Sequence, residues 1–530
     1  MSFEPIVQTR CGALRGSFES GLHVFRGIPF ARPPVGALRF QPPLPPLPWS
    51  GTREARHFGA AAPQNTDDPF SATLQQHVSD CSEDCLTLNV WTPGLDDARR
   101  PVLVWIHGGS FLRGAASWSQ YNGASLARRG NTVVVTIQYR LGALGYLYLD
   151  ELCPGGSPCA SNLGLRDQIA ALEWVRDEIA GFGGSPENVT VIGQSAGAIS
   201  IGVLLGTPRA HGLFRRAILQ SGPPFAIAPQ DATPVAATFL RALDLTAADA
   251  SHLHDIPPDR LLAAQLACAT SPGTRPLDLP FMPVVDGDVL PRHPADAIRA
   301  GSSNDIEVLV GTTLDEMTPY LLLDPETLTL DDHGLMRRGQ HILRGTDASG
   351  TIPIDTIQAE RLVDAYHHAR MARGAPTDAT ALWLSIKADR FVRYPSTRLA
   401  EIQRAHNTAA YMYLFTWRSP YMGGMFGACH MLDLPFVFGT VHDPLVQAFT
   451  GGGPEVYRLA ERMQDAWISF ARTGNPSHEG LGDWPVYDSE RRATMILGGE
   501  CRLEDAPLEH ERQAWQGAGP RAARLPGHQA

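Results

Sequence analysis

The chain has 530 residues, of which 43% are hydrophobic and 19% are charged, an ordinary composition for a soluble globular protein. Its formal net charge of -11 disfavours nucleic acid and anionic membrane surfaces as partners, because both bind basic protein faces. The first residues lack the basic and apolar stretches of a secretory signal peptide, and no apolar run is long enough for a transmembrane helix. We therefore expect a cytoplasmic protein without a nucleic-acid or membrane partner.

Short apolar, β-branched runs alternate with helical stretches along much of the chain. A helix is predicted over residues 167–180, because Ile169, Leu172 and Val175 share one helical face, and Gly181 is expected to end it. Such alternation predicts an α/β fold whose mostly parallel central sheet is flanked by helices. The predicted strands are residues 102–107, 132–138, 189–192, 217–220, 307–310, 410–415 and 494–497.

Two long segments interrupt this alternation. Residues 223–278 are rich in alanine and leucine, and residues 317–404 contain further helical stretches. No glycine- or proline-rich linker isolates either segment, so we predict that both are helical insertions in a single domain spanning residues 1–515. Residues 516–530 are small, charged and aperiodic, and a disordered tail is predicted there.

The eight cysteines are too widely spread to define a disulfide framework. The pairs Cys81–Cys85 and Cys153–Cys159 have spacings that allow a metal interpretation, but no histidine-rich cluster accompanies them. We predict free thiols and no metal site, with a local disulfide between Cys153 and Cys159 as the alternative under oxidising conditions.

The sequence Gly-Gln-Ser-Ala-Gly at residues 193–197 lies between a short apolar run and a stretch of small aliphatic residues. A strand, a tight turn flanked by glycines and a helix form the context of a nucleophile elbow, in which Ser195 stands exposed at the turn. The amide of Ala196, at the helix N-terminus, points to the same place. Ser195 is therefore predicted to be a catalytic nucleophile.

A serine nucleophile needs a base that accepts its proton and a third group that orients the base. In this architecture the serine precedes the acid and the acid precedes the histidine. His430 follows a predicted strand and a glycine-rich stretch, and Asp315 and Glu316 both follow the strand at 307–310. The residue pattern alone does not choose between the two carboxylates.

Backbone amides that stabilise an oxyanion are expected directly after the strand at 102–107. The residues there are His107, Gly108, Gly109 and Ser110. Glycine leaves the amides free to point inward without an interfering side chain. We expect this loop to form an oxyanion hole.

Taken together, these motifs identify a family. The chain resembles the type-B carboxylesterases, a group of α/β-hydrolases that includes bacterial para-nitrobenzyl esterases, liver carboxylesterases and cholinesterases, from near residue 10 to about residue 490. The resemblance rests on residues 25–31, 82–89, 107–109, 162–168, 193–197, 220–222, 283–287, 315–316, 427–430, 433–438 and 470–476.

The resemblance implies an α/β-hydrolase fold and a serine carboxylesterase without a cofactor. It selects Glu316 over Asp315 as the acid that orients His430. It implies two structural ion pairs, Arg39–Glu83 and Arg140–Asp167. The other implied site residues are the oxyanion-hole loop Gly108, Gly109 and Ser110 with Ala196, the residue Gln194 beside the nucleophile, and Ser221 as a partner of the catalytic histidine.

Departures from the family pattern argue against choline esters as substrates. Gln194 stands where the family usually has glutamate, which removes a carboxylate beside the nucleophile. Residues 74–80 lack the tryptophan with which cholinesterases bind a quaternary ammonium group, and such a cation requires an aromatic face. Ala62 replaces the first cysteine of a family disulfide and leaves Cys85 without that partner.

The acyl side of the pocket is predicted from the same resemblance. Leu277, Leu279 and Phe281 fall where cholinesterases place the aromatic rings that restrict the acyl group, and Tyr320 is expected to join them. Leucine is smaller than phenylalanine, so we expect room for acyl chains of about four to eight carbons or an aromatic acid. The alternative is that these leucines are ordinary core residues.

We therefore expect a hydrolase that cleaves short- to medium-chain or aromatic esters through an acyl-enzyme, acting as a monomer or a small homo-oligomer on a small-molecule ester. A lipase acting on long-chain, water-insoluble esters is the alternative within enzymes. A binding member of the family that has lost catalysis is the alternative of a different class, and the intact set Ser195, Glu316 and His430 argues against it.

Overall fold

The computed structural model describes residues 4–65, 78, 80–153, 155–269, 279–343 and 356–517. Within these ranges the strands form two sheets. The strands are β1 Ile6–Thr9, β2 Gly12–Arg15, β3 Ser17–Glu19, β4 Leu22–Pro29, β5 Thr52–Glu54, β6 Thr87–Thr92, β7 Arg100–Ile106, β8 Val133–Ile137, β9 Gly184–Gln194, β10 Arg216–Gln220, β11 Glu307–Thr313, β12 Ala410–Phe415, β13 Ala493–Leu497 and β14 Arg502–Asp505.

Helices connect the strands. The α-helices are Ala124–Gly130, Gly142–Tyr146, Leu163–Glu178, Ala196–Leu205, Pro229–Ala242, Pro258–Ala269, Pro294–Arg299, Asp332–Leu343, Thr356–Ala372, Ala379–Ala388, Tyr394–Ala405, Leu434–Phe438, Pro444–Thr450, Pro454–Thr473 and Glu509–Gly517. A π-helical turn, Asp389–Arg393, joins two of them. No helix of the described residues is both long enough and apolar enough to cross a membrane.

The larger sheet has eleven strands in the order β14-β13-β12-β11-β10-β9-β7-β8-β6-β4-β3. Its centre, from β8 through β7 and β9 to β13, is parallel, whereas β14 at one end and β6, β4 and β3 at the other pair antiparallel. The three-stranded sheet has the order β1-β2-β5. The predicted mostly parallel sheet flanked by helices is confirmed.

Both faces of the large sheet are buried, and β7 shows why its sequence is apolar throughout. Val104 and Ile106 belong to one hydrophobic core, whereas Leu103 and Trp105 belong to a second core. Alternate side chains of a strand point to opposite faces, so burial on both sides requires a continuous apolar run.

The predicted helix at 167–180 has different bounds in the structure. It runs over Leu163–Glu178 and tightens into the 3-10 turn Ile179–Phe182. Its expected end at Gly181 is wrong, because Gly183, with φ 75°, adopts the left-handed conformation that closes the turn. The predicted strand at 189–192 is longer than expected, since β9 begins at Gly184, which pairs with Arg100 of β7.

The segments predicted as insertions contain several helices among the residues that the structure describes. Residues 223–278 contain the helices Pro229–Ala242 and Pro258–Ala269, and four α-helices occupy much of 332–405. The predicted tail starts too early, because Gln516 still belongs to the helix Glu509–Gly517. Residues 518–530 lie outside the described part of the chain.

Both ion pairs implied by the family resemblance are confirmed. Arg39 donates two hydrogen bonds of 2.6 Å to Glu83. Arg140 donates hydrogen bonds of 2.8 and 2.7 Å to the two carboxylate oxygens of Asp167. The Arg140–Asp167 pair is buried inside the fold, with the Asp167 side chain fully inaccessible to solvent.

Candidate active site

Four parallel strands end at one edge of the large sheet and bring distant parts of the chain together. Ser195 follows β9 directly, and Glu316 lies three residues beyond β11. The loop His107–Ser110 follows β7, and His430 lies in the segment that follows β12. Because carboxyl ends of neighbouring parallel strands meet at one edge of the sheet, these residues converge there.

Ser195 occupies a sharp, strained turn between β9 and the helix Ala196–Leu205. Its backbone has φ 55° and ψ -124°, a conformation that non-glycine residues rarely adopt. The Ser195 amide donates to the Gln220 carbonyl at 2.9 Å, and its carbonyl accepts from the Ile199 amide at 2.8 Å. The half-buried serine is therefore held at the tip of a rigid turn.

The glycines that flank Ser195 are required by close backbone contacts. A Cβ atom at Gly193 would lie 2.5 Å from the carbonyl carbon of Gly197. A Cβ atom at Gly197 would lie 2.0 Å from the carbonyl oxygen of Ile106, on the neighbouring strand β7. Any side chain at either position would push the strand and the helix apart.

His430 and Glu316 are buried and directly hydrogen-bonded. The distance between Nδ1 of His430 and Oε2 of Glu316 is 2.5 Å, and the side chains are 4% and 0% exposed. Thr313 donates its amide to the other carboxylate oxygen at 2.8 Å. Burial opposes ionisation of Glu316, but the neighbouring His430 and the hydrogen bonds to the carboxylate hold its pKa below the ordinary value.

The other ring nitrogen of His430 contacts Gln194. The distance between its Nε2 and the side-chain nitrogen of Gln194 is 2.9 Å. Among the described residues, no hydrogen bond joins this nitrogen to the Ser195 hydroxyl. The ring of Tyr320 lies 5.9 Å from the His430 ring, centre to centre. Burial and the nearby Glu316 raise the pKa of Tyr320 to about 12, and an interaction of its hydroxyl with Ser195 opposes that rise.

The glycine loop after β7 presents unengaged amides beside Ser195. Gly109 and Ser110 have φ of 122° and 58°, and in the described part of the chain no backbone carbonyl accepts either amide. The amide of Ala196 is the first of its helix and therefore has no acceptor within it. A Cβ atom at Gly108 would lie 3.1 Å from Cβ of Ser195, so the loop lies against the serine.

Buried contacts hold this loop in shape. The His107 ring stacks on Tyr139 at 4.4 Å, and the Tyr139 hydroxyl donates to the His107 carbonyl at 2.7 Å. Burial lowers the pKa of His107 to about 4, so the ring is neutral at ordinary pH. Gln64 donates to the Gly114 carbonyl and accepts from the Gly114 amide, at 3.0 and 2.8 Å. Nothing in the local sequence around Gln64 predicts this clamp.

Asp433 is a buried group that the sequence interpretation missed, although it lies in one of the motifs that carry the family resemblance. Its carboxylate accepts hydrogen bonds from Gln220 at 2.8 Å and from the Tyr413 hydroxyl at 2.9 Å. Burial raises the pKa of Asp433 to about 6. It lies close enough to Glu316 and His430 to interact with both electrostatically.

Ser221 and the residues predicted for the acyl side lie at different distances from this centre. The Ser221 hydroxyl contributes to the lowered pKa of Glu316, although it makes no hydrogen bond of normal geometry with the described residues. Phe281 is buried in the main core against Phe239, and Leu279 is half-buried beside that core. Leu277 lies outside the described residues. Of the three predicted residues that the structure describes, Tyr320 is the one with a contact to His430.

The described residues contain no group of three or more histidine, cysteine, aspartate or glutamate side chains that could hold a metal ion. All eight cysteines are free thiols in this structure, and Cys85 is buried.

Comparisons with known proteins show the family of the chain. The family model for the carboxylesterase family matches residues 3–515 of the chain. The chain is 36% identical over 511 residues to a para-nitrobenzyl esterase of Bacillus subtilis (strain 168), covering 96% of the chain and 98% of that protein. It is also 36% identical over 510 residues to a phenmedipham hydrolase of Pseudarthrobacter oxydans, with 94% and 96% covered.

A solved structure shows the same likeness in three dimensions. The carboxylesterase of Geobacillus stearothermophilus superposes on the chain with a TM-score of 0.84 at 40% sequence identity. The superposition covers 96% of this chain and 100% of that chain.

Proposed function

The chain belongs to the carboxylesterase family, with its α/β-hydrolase fold and its activity as a carboxylic ester hydrolase, and from this premise we propose that it cleaves esters through an acyl-enzyme formed on Ser195. The observation that carries the proposal is the 2.5 Å contact between His430 and Glu316 beside the strained turn of Ser195. A base oriented by a carboxylate is what a serine hydroxyl needs to become a nucleophile.

In the first half of the reaction, Ser195 Oγ forms a bond to the ester carbonyl carbon while Nε2 of His430 takes its proton. Glu316 holds the imidazole by Nδ1 and stabilises the imidazolium that forms. The imidazolium then gives its proton to the leaving alcohol, which leaves the acyl group on Ser195. A water molecule repeats the sequence, since His430 accepts its proton, the water oxygen attacks the acyl carbonyl, and the carboxylic acid departs as Ser195 regains a proton.

The amides of Gly109, Ser110 and Ala196 are proposed to stabilise the negative charge on the carbonyl oxygen in both steps. Gly108 supports this role because its lack of a side chain lets the loop lie against Ser195. Preorganised amides in a partly buried site stabilise a developing oxyanion without reorganisation at the moment of reaction. Removing one such donor typically costs on the order of 100- to 1000-fold in kcat.

We propose short- to medium-chain or aromatic esters as substrates. The names of two relatives, a para-nitrobenzyl esterase and a phenmedipham hydrolase, support aromatic groups in the substrate. The same proposal assigns Leu277, Leu279, Phe281 and Tyr320 to the acyl side of the pocket, and the contact of Tyr320 with the His430 ring supports its part in it.

The proposed setting of the enzyme is the cytoplasm, where it would act as a single catalytic domain of residues 1–515 in a monomer or small homo-oligomer. Eight free thiols are typical of a reducing compartment.

The proposal is tested by mixing the purified protein with a short-chain para-nitrophenyl ester. A burst of para-nitrophenol equivalent to one site per chain, absent in Ser195→Ala, is expected, because acylation releases the phenol before the acyl group is hydrolysed. Turnover by Ser195→Ala at the wild-type rate would contradict the assignment. Activity that rises only above the solubility limit of the substrate would instead favour a lipase.

A further inference from the structure

The side chain of Gln194 lies where the catalytic proton transfer has to occur. His430 uses Nδ1 for its bond with Glu316, so Nε2 is the ring nitrogen left to accept the serine proton. The structure has the Gln194 amide nitrogen 2.9 Å from this Nε2. The Gln194 side chain is fully buried, so the contact is shielded from water.

Hydrogen-bond chemistry fixes which form of the imidazole fits this contact. A carboxylate only accepts, so Nδ1 of His430 must carry the proton that faces Glu316. In the neutral imidazole, Nε2 is then a lone-pair acceptor, and an amide N–H of Gln194 is the partner it requires. Turning the amide over would place its oxygen against that lone pair, which is repulsive.

The amide oxygen of Gln194 makes no competing hydrogen bond with the described residues. Oε1 of Gln194 is buried and accepts no hydrogen bond from the described residues. It faces the oxyanion loop, since a Cβ atom at Gly108 would lie 2.9 Å from it. The contact with His430 is therefore the one side-chain hydrogen bond that Gln194 makes with the described residues.

We propose that Gln194 is a positioning residue that donates a hydrogen bond to the general-base nitrogen of His430 in the free enzyme and thereby favours the neutral, reactive imidazole. The inference rests on the proposed role of His430 as the base. Ser195 takes the place of Gln194 at Nε2 when the ester binds.

A glutamate at this position would act in the opposite sense. Its carboxylate cannot donate to the lone pair of the neutral ring, but it accepts a hydrogen bond from the imidazolium and attracts its charge. The glutamine therefore keeps the base neutral, and the enzyme active, to lower pH than a glutamate would.

The other titratable groups around the imidazole are the same in the wild type and in a variant with glutamate at position 194. Glu316 contacts Nδ1, Asp433 interacts with the ring electrostatically, and Tyr320 packs beside it. Beyond them, Arg393 interacts with Glu316, and Arg113 interacts with Tyr320. A shift of the pH profile in a variant at residue 194 alone can therefore be assigned to that side chain.

The first experiment compares the pH dependence of kcat/KM in the wild type and Gln194→Glu with one para-nitrophenyl ester. The acid limb of the Gln194→Glu profile should move to higher pH by about one unit, the lower end of the effect of a charge at hydrogen-bonding distance. Gln8→Glu, an equal change of charge at an exposed position of β1 in the small sheet, should leave the limb in place. An acid limb that does not move in Gln194→Glu would overturn the inference.

A second measurement observes the donor itself. With 15N-labelled histidine in a Ser195→Ala background, where the serine hydroxyl cannot donate, the Nε2 resonance of His430 should move downfield in Gln194→Met, because the bond to the lone pair is lost. An unchanged resonance would show that Gln194 does not donate. Turnover retained by Ser195→Ala would contradict the proposed function, whereas an unchanged acid limb or resonance would contradict only the role of Gln194. The two outcomes are therefore distinguishable.

Discussion

Asp315 and Ala428 join the loop that carries the acid to the loop that carries the histidine. The Asp315 amide donates to the Ala428 carbonyl at 2.8 Å, and the Ala428 amide donates to the Asp315 carboxylate at 2.9 Å. These two bonds connect positions 113 apart and lie next to Glu316 and His430. The two neighbouring carboxylates therefore have different tasks, since Asp315 fixes the distance between the loops and Glu316 contacts the imidazole.

This division predicts unequal effects of two conservative substitutions. Glu316→Gln should lower kcat by about 10,000-fold, by analogy with the acid of other triads, because a neutral amide no longer stabilises the imidazolium. Asp315→Asn should have a much smaller effect, since its amide oxygen still accepts from Ala428. Steady-state kinetics of both variants decide the matter, and equal losses would contradict the choice of Glu316.

The nucleophile and the base are expected to act as a unit. Ser195→Ala and His430→Ala should each lower kcat by several orders of magnitude, and the double variant should lose little more than either single variant. His442→Ala, at an exposed histidine stacked on Tyr457, is the matched control and should keep wild-type turnover. Retention of more than about a tenth of wild-type kcat by His430→Ala would reject this histidine as the base.

The Arg140–Asp167 pair makes a prediction about stability. Arg140→Leu should lower the free energy of unfolding by about 3–5 kcal/mol, because it leaves the carboxylate of Asp167 buried without a partner. Arg129→Leu, which breaks a partly exposed pair with Asp465, should cost no more than about 1 kcal/mol. Urea denaturation of both variants at one pH provides the comparison. Equal costs would mean that burial does not set the strength of these pairs.

Asp433 predicts a pH-dependent difference in stability. Burial raises its pKa from 3.8 to about 6, so the native state binds the proton more tightly than the unfolded chain does. The stabilisation from the protonated carboxyl is complete below about pH 4 and is lost as the pH rises through about 6. Asp433→Asn has no such loss, because asparagine stays neutral and can still accept from Gln220 and Tyr413.

The measurement is urea unfolding of the wild type and Asp433→Asn at several pH values. The free energy of unfolding of the variant, relative to the wild type, should rise between about pH 4 and pH 7 by up to about 3 kcal/mol, since a tenfold change in proton affinity corresponds to about 1.4 kcal/mol. A difference that is constant over this range would show that Asp433 titrates normally.

Substitutions on the proposed acyl side test substrate size. Leu277→Phe and Leu279→Phe, together or singly, should shift the preference from hexanoyl toward acetyl esters of one alcohol, because larger rings fill the space for the chain. Each buried methylene that is excluded should cost up to about 0.8 kcal/mol in transition-state binding. Leu279→Met, which conserves volume, should leave the ratio near that of the wild type. An unchanged ratio in the phenylalanine variants would assign these leucines to the core.

The residue pattern was sufficient to predict structural features that depend on interactions between residues close in the chain. The apolar runs predicted the parallel strands because burial on both faces requires them, and the glycines around Ser195 predicted the turn because any Cβ there would clash. Helix ends were less accurate, since the choice between Gly181 and Gly183 as the closing residue depends on the backbone conformation that packing imposes.

Without the family resemblance, the residue pattern did not distinguish Asp315 from Glu316 as the acid. Both carboxylates follow the same strand, and their spacing contains nothing that separates the one that binds Ala428 from the one that binds His430. The buried contact of Asp433 with Gln220 and the bond between Gln194 and His430 could not be predicted either, because each joins residues more than 200 positions apart in the chain.

The sequence by itself therefore determined the kind of fold, the strained turn that carries Ser195, and the residue types available for catalysis. Tertiary structure alone decided which of those residues touch, and which ring nitrogen of His430 faces Gln194. The physical reason is that strands, turns and helices follow from interactions between near neighbours, whereas the site is assembled where several parallel strands end. Distances at that edge depend on the register and packing of the whole sheet.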